Sequence, residues 1–386
     1  MRKFITTLAL IVLGTISLLK CSGNGHLFKA LSATYFDGKK GPTINDLPVF
    51  DYRRVNSENH NFIAKGIGYG YYMIDSSLWR EIESYDPVGF LVLHRDRIVI
   101  EQYYNDYNDA SLVNSFSVAK SIVALAVLKA IELGHIESVD QNVIDFIPEL
   151  DGDYNEVVTI RHLLAMTSGI DFNESYGNPF GFMAAAYYGD DLEDLALSYD
   201  ADIEPGSEWK YLGGNTILLS IIVSRATGEP LSDFVSKHIW TKIGAPVDAY
   251  WSLDEEDGLE KAYCCFYTSL RDYSRFGMLV KNNGMIFKKG ALSSELLAEL
   301  KKPVVLNNGE VIEYYGWHWW RLEYDDAIVT YARGIQGQYI ITIPEYDIVI
   351  VRLGTRRGIT NSFNHPEDLY LYVELAKSIH EQTLLP

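Results

Sequence analysis

The chain has 386 residues, 47% of them hydrophobic and 13% aromatic, enough to bury a large core as one big domain or two intertwined ones. With 52 acidic against 33 basic residues, a net charge of −19 and no long basic run, it lacks the positive patches that nucleic acids and anionic membrane surfaces need in a partner. The nine histidines and three cysteines show no His-x-x-x-His or Cys-x-x-Cys spacing, so neither a metal site nor any other cofactor is called for.

Met1-Arg2-Lys3, followed by an apolar run over residues 4–19, reads as the charged and hydrophobic parts of a secretory signal. The run is short for a membrane-spanning helix, though a signal anchor is within reach. Cys21 resembles the lipidation cysteine of a bacterial lipoprotein, with Lys20 standing where a small residue is usual. Residues 1–21 are therefore expected to be a signal peptide or lipoprotein signal. That makes the protein exported, either periplasmic or attached to the cell envelope through its N-terminus. Residues 22–80 mix polar stretches with turn signals such as Lys39-Lys40-Gly41-Pro42, and read as a tether and irregular extension.

Residues 89–94 and 98–103 are β-rich runs around Arg95-Asp96-Arg97, a hairpin pattern. Residues 118–133 are apolar on nearly every side, which places a helix in the middle of the protein, and Gly134 stops it. Ser117 stands at its start with Lys120 one turn on, so both side chains share a helix face. A serine hydroxyl is a weak nucleophile that needs a base within reach. Desolvation at the start of a buried helix favours the neutral amine of a lysine, the form able to take that proton. The Ser-x-x-Lys spacing also occurs at Ser17–Lys20 and Ser207–Lys210, and a serine that merely caps a core helix would look the same.

Residues 135–260 are mainly helical. A short capped helix is expected over 159–169, where His162 and Ser168 read as structural residues. Residues 173–202 form a pocket-edge segment with a helix at 182–188. There Tyr176, Tyr187 and Tyr188 either pack or touch substrate. A turn-rich loop from Pro205-Gly206 presents Tyr211 just before an apolar helix over 216–226, capped by Asn215 and stopped at Gly228. The adjacent Cys264 and Cys265 are expected as buried apolar filler, because a bridge between neighbours is strained. A helix over 268–282, a hairpin of residues 337–343 and 348–352, and an amphipathic helix over 366–382 follow. Strands early and late around a helical middle predict an α/β (α+β) fold, with both hairpins in one antiparallel sheet flanked by helices and a largely helical second subdomain.

Several of these stretches together resemble the serine β-lactamase and penicillin-binding-protein superfamily, in its class C-like branch of esterases and 6-aminohexanoate-dimer hydrolase. Phe116-Ser-Val-Ala-Lys-Ser121 is similar to the nucleophile motif, and Ile160-Arg-His-Leu-Leu-Ala-Met-Thr-Ser-Gly169 to the helical block that follows it. Pro205-Gly206 with Tyr211 resembles the tyrosine motif, and Leu270-Arg-Asp-Tyr-Ser-Arg-Phe-Gly277 the later helix. Gly334-Ile335-Gln336-Gly337-Gln338 falls at the Lys-Thr-Gly position. The resemblance covers about residues 85–380, within a β-lactamase-like domain over 81–386 whose helical insert spans about 135–260.

The resemblance implies a β-lactamase/transpeptidase-like fold and a set of roles. Ser117 would form the acyl-enzyme, and Lys120 and Tyr211 would share acid and base work. The backbone N–H groups of Ser117 and Gln338 would make the oxyanion hole, with Ile335, Gln336 and Gly337 against the substrate. Two departures point away from β-lactams. Gly213 stands where the tyrosine motif has an amide or hydroxyl side chain, and Ile335 where the Lys-Thr-Gly motif has the lysine that grips a carboxylate. The expected activity is hydrolysis of a small-molecule ester or simple amide. The alternatives are a D-alanyl peptidase or weak β-lactamase, and a non-catalytic envelope binding protein of the same fold.

Overall fold

Both hairpins join one six-stranded antiparallel sheet in the computed structural model, which describes residues 14, 19, 22–36, 38–58, 60–150 and 152–384. The strand order is Trp320–Tyr324, Ala327–Gly334, Gln338–Ile343, Ile348–Gly354, Pro87–His94, Arg97–Tyr103. Every residue of Pro87–His94 and of Ile348–Gly354 is buried, so both faces of the sheet are covered. Successive residues in a strand point to opposite faces, and the two covers can be read from adjacent positions. A side chain on Gly89 would meet Leu270 of the Leu270–Lys281 helix, whereas the Phe90 ring packs on Trp79 and on Tyr372 of the C-terminal Glu367–Leu384 helix.

The Leu270–Lys281 helix explains its own sequence block. Ser269 caps it through the Asp272 N–H, and Asp272 pairs with Arg275 at 2.7 Å, both nearly inaccessible to solvent. Arg275 also donates to the carbonyls of Asn61 (2.6 Å) and Ile243 (3.3 Å), tying the N-terminal segment to the body. A Cβ on Gly277 would sit 2.5 Å from Val349, so glycine lets the helix lie against the sheet. The central Val118–Glu132 helix is buried over all but its last turn, as its all-round apolarity requires.

The helical region differs from expectation at one boundary. Its long apolar helix is Gly213–Thr227, not one capped by Asn215. Asn215 lies inside the first turn and accepts from Ser168 Oγ at 2.6 Å, while Gly228 ends the helix in the left-handed region as read. Residues 22–80, expected as irregular, carry the helices His26–Ala33 and Ser76–Glu83. They also carry the strand Tyr52–Val55, which pairs with Ala249–Ser252 in a second, four-stranded sheet. Isolated short elements of this kind leave no periodic pattern of their own; pairing to distant strands makes them.

The expectation of two unlinked cysteines is corrected: Cys264 and Cys265 form a disulfide. The chain turns there, with the Cys264 N–H on the Lys261 carbonyl and Cys265 at a φ of 65°, and the turn brings the neighbouring sulfurs together. Both residues are buried, as expected. The signal segment 1–21, Cys21 included, lies outside the described residues apart from Gly14 and Leu19. Among the described residues, no helix is long and apolar enough to cross a membrane.

His318 joins three elements. Its Nδ1–H donates to the Leu164 carbonyl (2.8 Å), its Nε2 accepts from Thr216 (2.9 Å), and its carbonyl accepts from Ser121 Oγ (2.5 Å). Burial pushes its pKa down to about 3, with Lys120 adding to the depression, so the folded chain leaves it neutral at pH values where an unfolded chain would protonate it. Its contribution is complete above the ordinary value of 6.5 and is lost as pH falls toward 3. We expect stability to drop by about 1.4 kcal/mol per pH unit from this group below that value. Urea unfolding at pH 7 and pH 5 measures it, and His318→Asn should flatten the slope by one proton.

Candidate active site

The nucleophile turn is held from three sides. Val113–Asn114 pairs with Phe266–Thr268, and the Ser115 N–H donates to the Phe266 carbonyl at 2.8 Å. Asn114 uses both ends of its amide, accepting the Phe116 N–H (2.9 Å) and donating to the Tyr267 hydroxyl (3.1 Å). Phe116 adopts a φ of 44°, a sharp bend that turns the chain from strand into helix and presents the next residue. That residue is Ser117. Its side chain makes no capping bond to the helix, so the reading of a simple N-cap serine does not hold.

The Ser117 Oγ instead lies 3.0 Å from Lys120 Nζ, which also donates to the Tyr263 carbonyl at 2.9 Å. Lys120 is only 1% exposed, and among the described residues no carboxylate forms an ion pair with it. The Tyr263 carbonyl therefore holds the amine against the hydroxyl. Tyr211 arrives from the loop before the Gly213–Thr227 helix, with its ring centroid 5.1 Å from Lys120 Nζ. The ring leans on Trp320 (5.2 Å) and Tyr315 (6.0 Å), which fix its position. Ser117, Lys120 and Tyr211 thus meet, although the one hydrogen bond among them joins Ser117 to Lys120.

Glu174 escaped the sequence reading. Its carboxylate accepts the Gly214 N–H at 2.8 Å, beside the glycine that replaces the family's polar residue. Burial pushes its pKa up, opposed by the Gly213 and Gly214 N–H groups and by Lys120. No spacing rule points to it; the contact exists because the 173–181 segment folds back over the helix start. Trp317, Trp319 and Trp320 are buried core residues, with Trp320 backing Tyr211.

A cavity of about 320 Å³ opens at Ser117, walled by Phe116, Tyr263, Cys264 and Ile335 on the side of the nucleophile turn. Tyr176, Tyr187 and Tyr188 line it, so the pocket-edge segment and its aromatics do face the site. Of the three residues expected against substrate, Ile335 lines the cavity. Gln336 turns away to donate to the Pro42 carbonyl at 2.7 Å, and Gly337, at a φ of 84°, leaves room for the Arg352 guanidinium.

The expected role of Gln338 is not supported by its place. It is fully buried in an interior strand, opposite Gly334 at the close of the hairpin, and its side chain bonds Gly354 and the Ile335 carbonyl. The backbone beside the nucleophile is Gly334, where a Cβ would stand 3.2 Å from the Ser117 nitrogen. Neither the Ser117 nor the Ile335 N–H donates to an acceptor among the described residues. A three-residue turn separates Gly334, the backbone beside Ser117, from Gln338.

A Cβ at Gly334 would also lie 2.4 Å from the Ser115 carbonyl oxygen. Gly334→Ala must therefore shift the nucleophile turn. A displacement of this kind is expected to lower kcat by on the order of a hundredfold while the fold persists. Steady-state kinetics beside a circular dichroism melt would show both.

Set beside known proteins, the chain matches the family model described as Beta-lactamase over residues 85–373. It is 27% identical over 287 residues to 6-aminohexanoate-dimer hydrolase of Paenarthrobacter ureafaciens, covering 69% of this chain and 72% of that one. A solved structure of a putative 6-aminohexanoate-dimer hydrolase from Bacillus anthracis superimposes with a TM-score of 0.72 at 21% identity, over 87% of this chain and 92% of the other. A family VIII carboxylesterase superimposes with a TM-score of 0.63 at 15% identity, over 82% of this chain and 98% of the other.

Proposed function

The chain belongs to the beta-lactamase family of serine hydrolases, and on that premise we propose that it hydrolyses small-molecule esters or simple amides through an acyl-enzyme on Ser117. The carrying observation is the 3.0 Å contact between Ser117 Oγ and the buried Lys120 Nζ at the mouth of an apolar cavity. In this reading Ser117 Oγ attacks the carbonyl carbon as its proton passes to Lys120. The carbonyl oxygen becomes an oxyanion held by the Ser117 and Ile335 N–H groups. Main-chain donors so placed contribute roughly 3–4 kcal/mol each. Collapse breaks the bond to the alcohol or amine, which leaves with a proton from Lys120 or Tyr211. Water then repeats the sequence on the acyl-enzyme and restores the serine.

Ile335 at the cavity wall supports esters and simple amides over β-lactams, since it offers no charge to a carboxylate. A lost charge-assisted contact of that sort costs about 1.5–3 kcal/mol, roughly one to two powers of ten in recognition. The N-terminal pattern supports export, with attachment at Cys21 as part of the same proposal. The test is turnover of a short-chain nitrophenyl ester against nitrocefin by the chain lacking its first 21 residues. Ester turnover with little nitrocefin hydrolysis is the expected result. Efficient nitrocefin hydrolysis would overturn the substrate assignment.

A further inference from the structure

The N-terminal extension, which lies outside the matched region, reaches the active site. Its segment 26–46 runs from the helical region to the sheet and is fastened at both ends. On the helical side, His26 Nε2–H donates to the Pro179 carbonyl (2.9 Å), and Lys29 pairs with Asp190 (3.2 Å). On the sheet side, the Pro42 carbonyl accepts from Gln336 (2.7 Å), and the Ile44 carbonyl accepts the Asn114 N–H (2.9 Å) of the nucleophile strand. Asp46 accepts from Tyr187, which itself lines the cavity (3.0 Å). Between these anchors Ala30, Thr34, Gly41 and Pro42 face Ser117 across the cavity.

We propose that residues 26–42 are the outer wall of an acyl pocket and limit the acyl group this site accepts. One chemical requirement and one observation assign the cavity to the acyl part of a substrate. A leaving group must lie within hydrogen-bond reach of Lys120 or Tyr211 to be protonated. Ser117 lines the cavity while neither of those residues does, so the cavity lies on the other side of the scissile bond. The chemistry of the wall then sets the class. Facing Met183, Ala184, Ala30 and Pro42, with Lys40 exposed and the sole charged residue of the lining, the space suits an uncharged acyl chain of several carbons.

This rests on the serine-hydrolase reading, so the experiment separates the two. kcat/KM is measured for acetyl and octanoyl nitrophenyl esters with the wild-type chain, Ala30→Trp in the wall and Ser32→Trp on its exposed outer face. The wild type should prefer octanoyl. Ala30→Trp should lower the octanoyl-to-acetyl ratio roughly tenfold, with the ratio of Ser32→Trp unchanged. An equal ratio in all three proteins, or a parallel fall on both esters, would overturn the wall. Calorimetric binding of octanamide and acetamide to Ser117→Ala, with and without Ala30→Trp, reads the pocket without catalysis. A preference for octanamide that Ala30→Trp removes supports the wall even if no ester is turned over, and no preference rejects it.

Discussion

Ser117→Ala and Lys120→Ala should each lower ester turnover by on the order of ten-thousandfold, and the double variant should be no worse than either single change. In the proposed mechanism the two side chains act as one unit. Without the amine at 3.0 Å the hydroxyl has no acceptor for its proton, and without the hydroxyl the amine has nothing to activate. Lys120→Arg should be as inactive as Lys120→Ala, because a guanidinium does not give up a proton in a protein. Stability should barely move in Ser117→Ala, since Lys120 keeps its bond to the Tyr263 carbonyl. Single-turnover kinetics would read the loss, and labelling by a serine-directed phosphonate should be abolished in Ser117→Ala and strongly slowed in Lys120→Ala. Turnover surviving in Ser117→Ala would reject the mechanism outright.

The largest expected loss of stability is far from the chemistry. Asp272→Ala strands the Arg275 guanidinium, 2% exposed, without its counter-ion. Removing one partner of a buried pair costs about 3–5 kcal/mol, because the remaining charge stays desolvated. Burial already works against both ions, raising the pKa of Asp272 and lowering that of Arg275. The pair is therefore a poor source of net stability and a severe hazard when broken. Replacing both ions at once, as Asp272→Leu with Arg275→Met, should cost less than Asp272→Ala alone. Guanidinium unfolding followed by circular dichroism would rank the variants. If Asp272→Ala melts with the wild type, the burial argument is wrong.

The elements legible in the sequence are those whose pattern is local. The hairpins at 87–103 and 338–354 carry continuous apolar runs around short polar turns. The Val118–Glu132 helix announces its burial by having no polar face. The Ser117–Lys120 pair shows in the sequence because residues three apart share a helix face, whereas Tyr211 is picked out only by its resemblance to the family's tyrosine motif. The strands Trp320–Tyr324 and Ala327–Gly334 were not legible, since aromatic residues and a charge at Arg333 interrupt their alternation. Pairing with the sheet, rather than propensity, makes them strands.

By itself, then, the chain's sequence determined the fold class, the placement of Ser117 and Lys120 on one helix turn, and an uncharged residue at Ile335. Each depends on residue types at short, regular separations. Tertiary structure alone decided that the Gly334 backbone stands beside Ser117. It also decided that Glu174 reaches the start of the Gly213–Thr227 helix, and that Ala30, Thr34, Lys40, Gly41 and Pro42 line the cavity. Those depend on contacts between segments tens to hundreds of residues apart, whose loop-closure cost and packing leave no periodic trace along the chain.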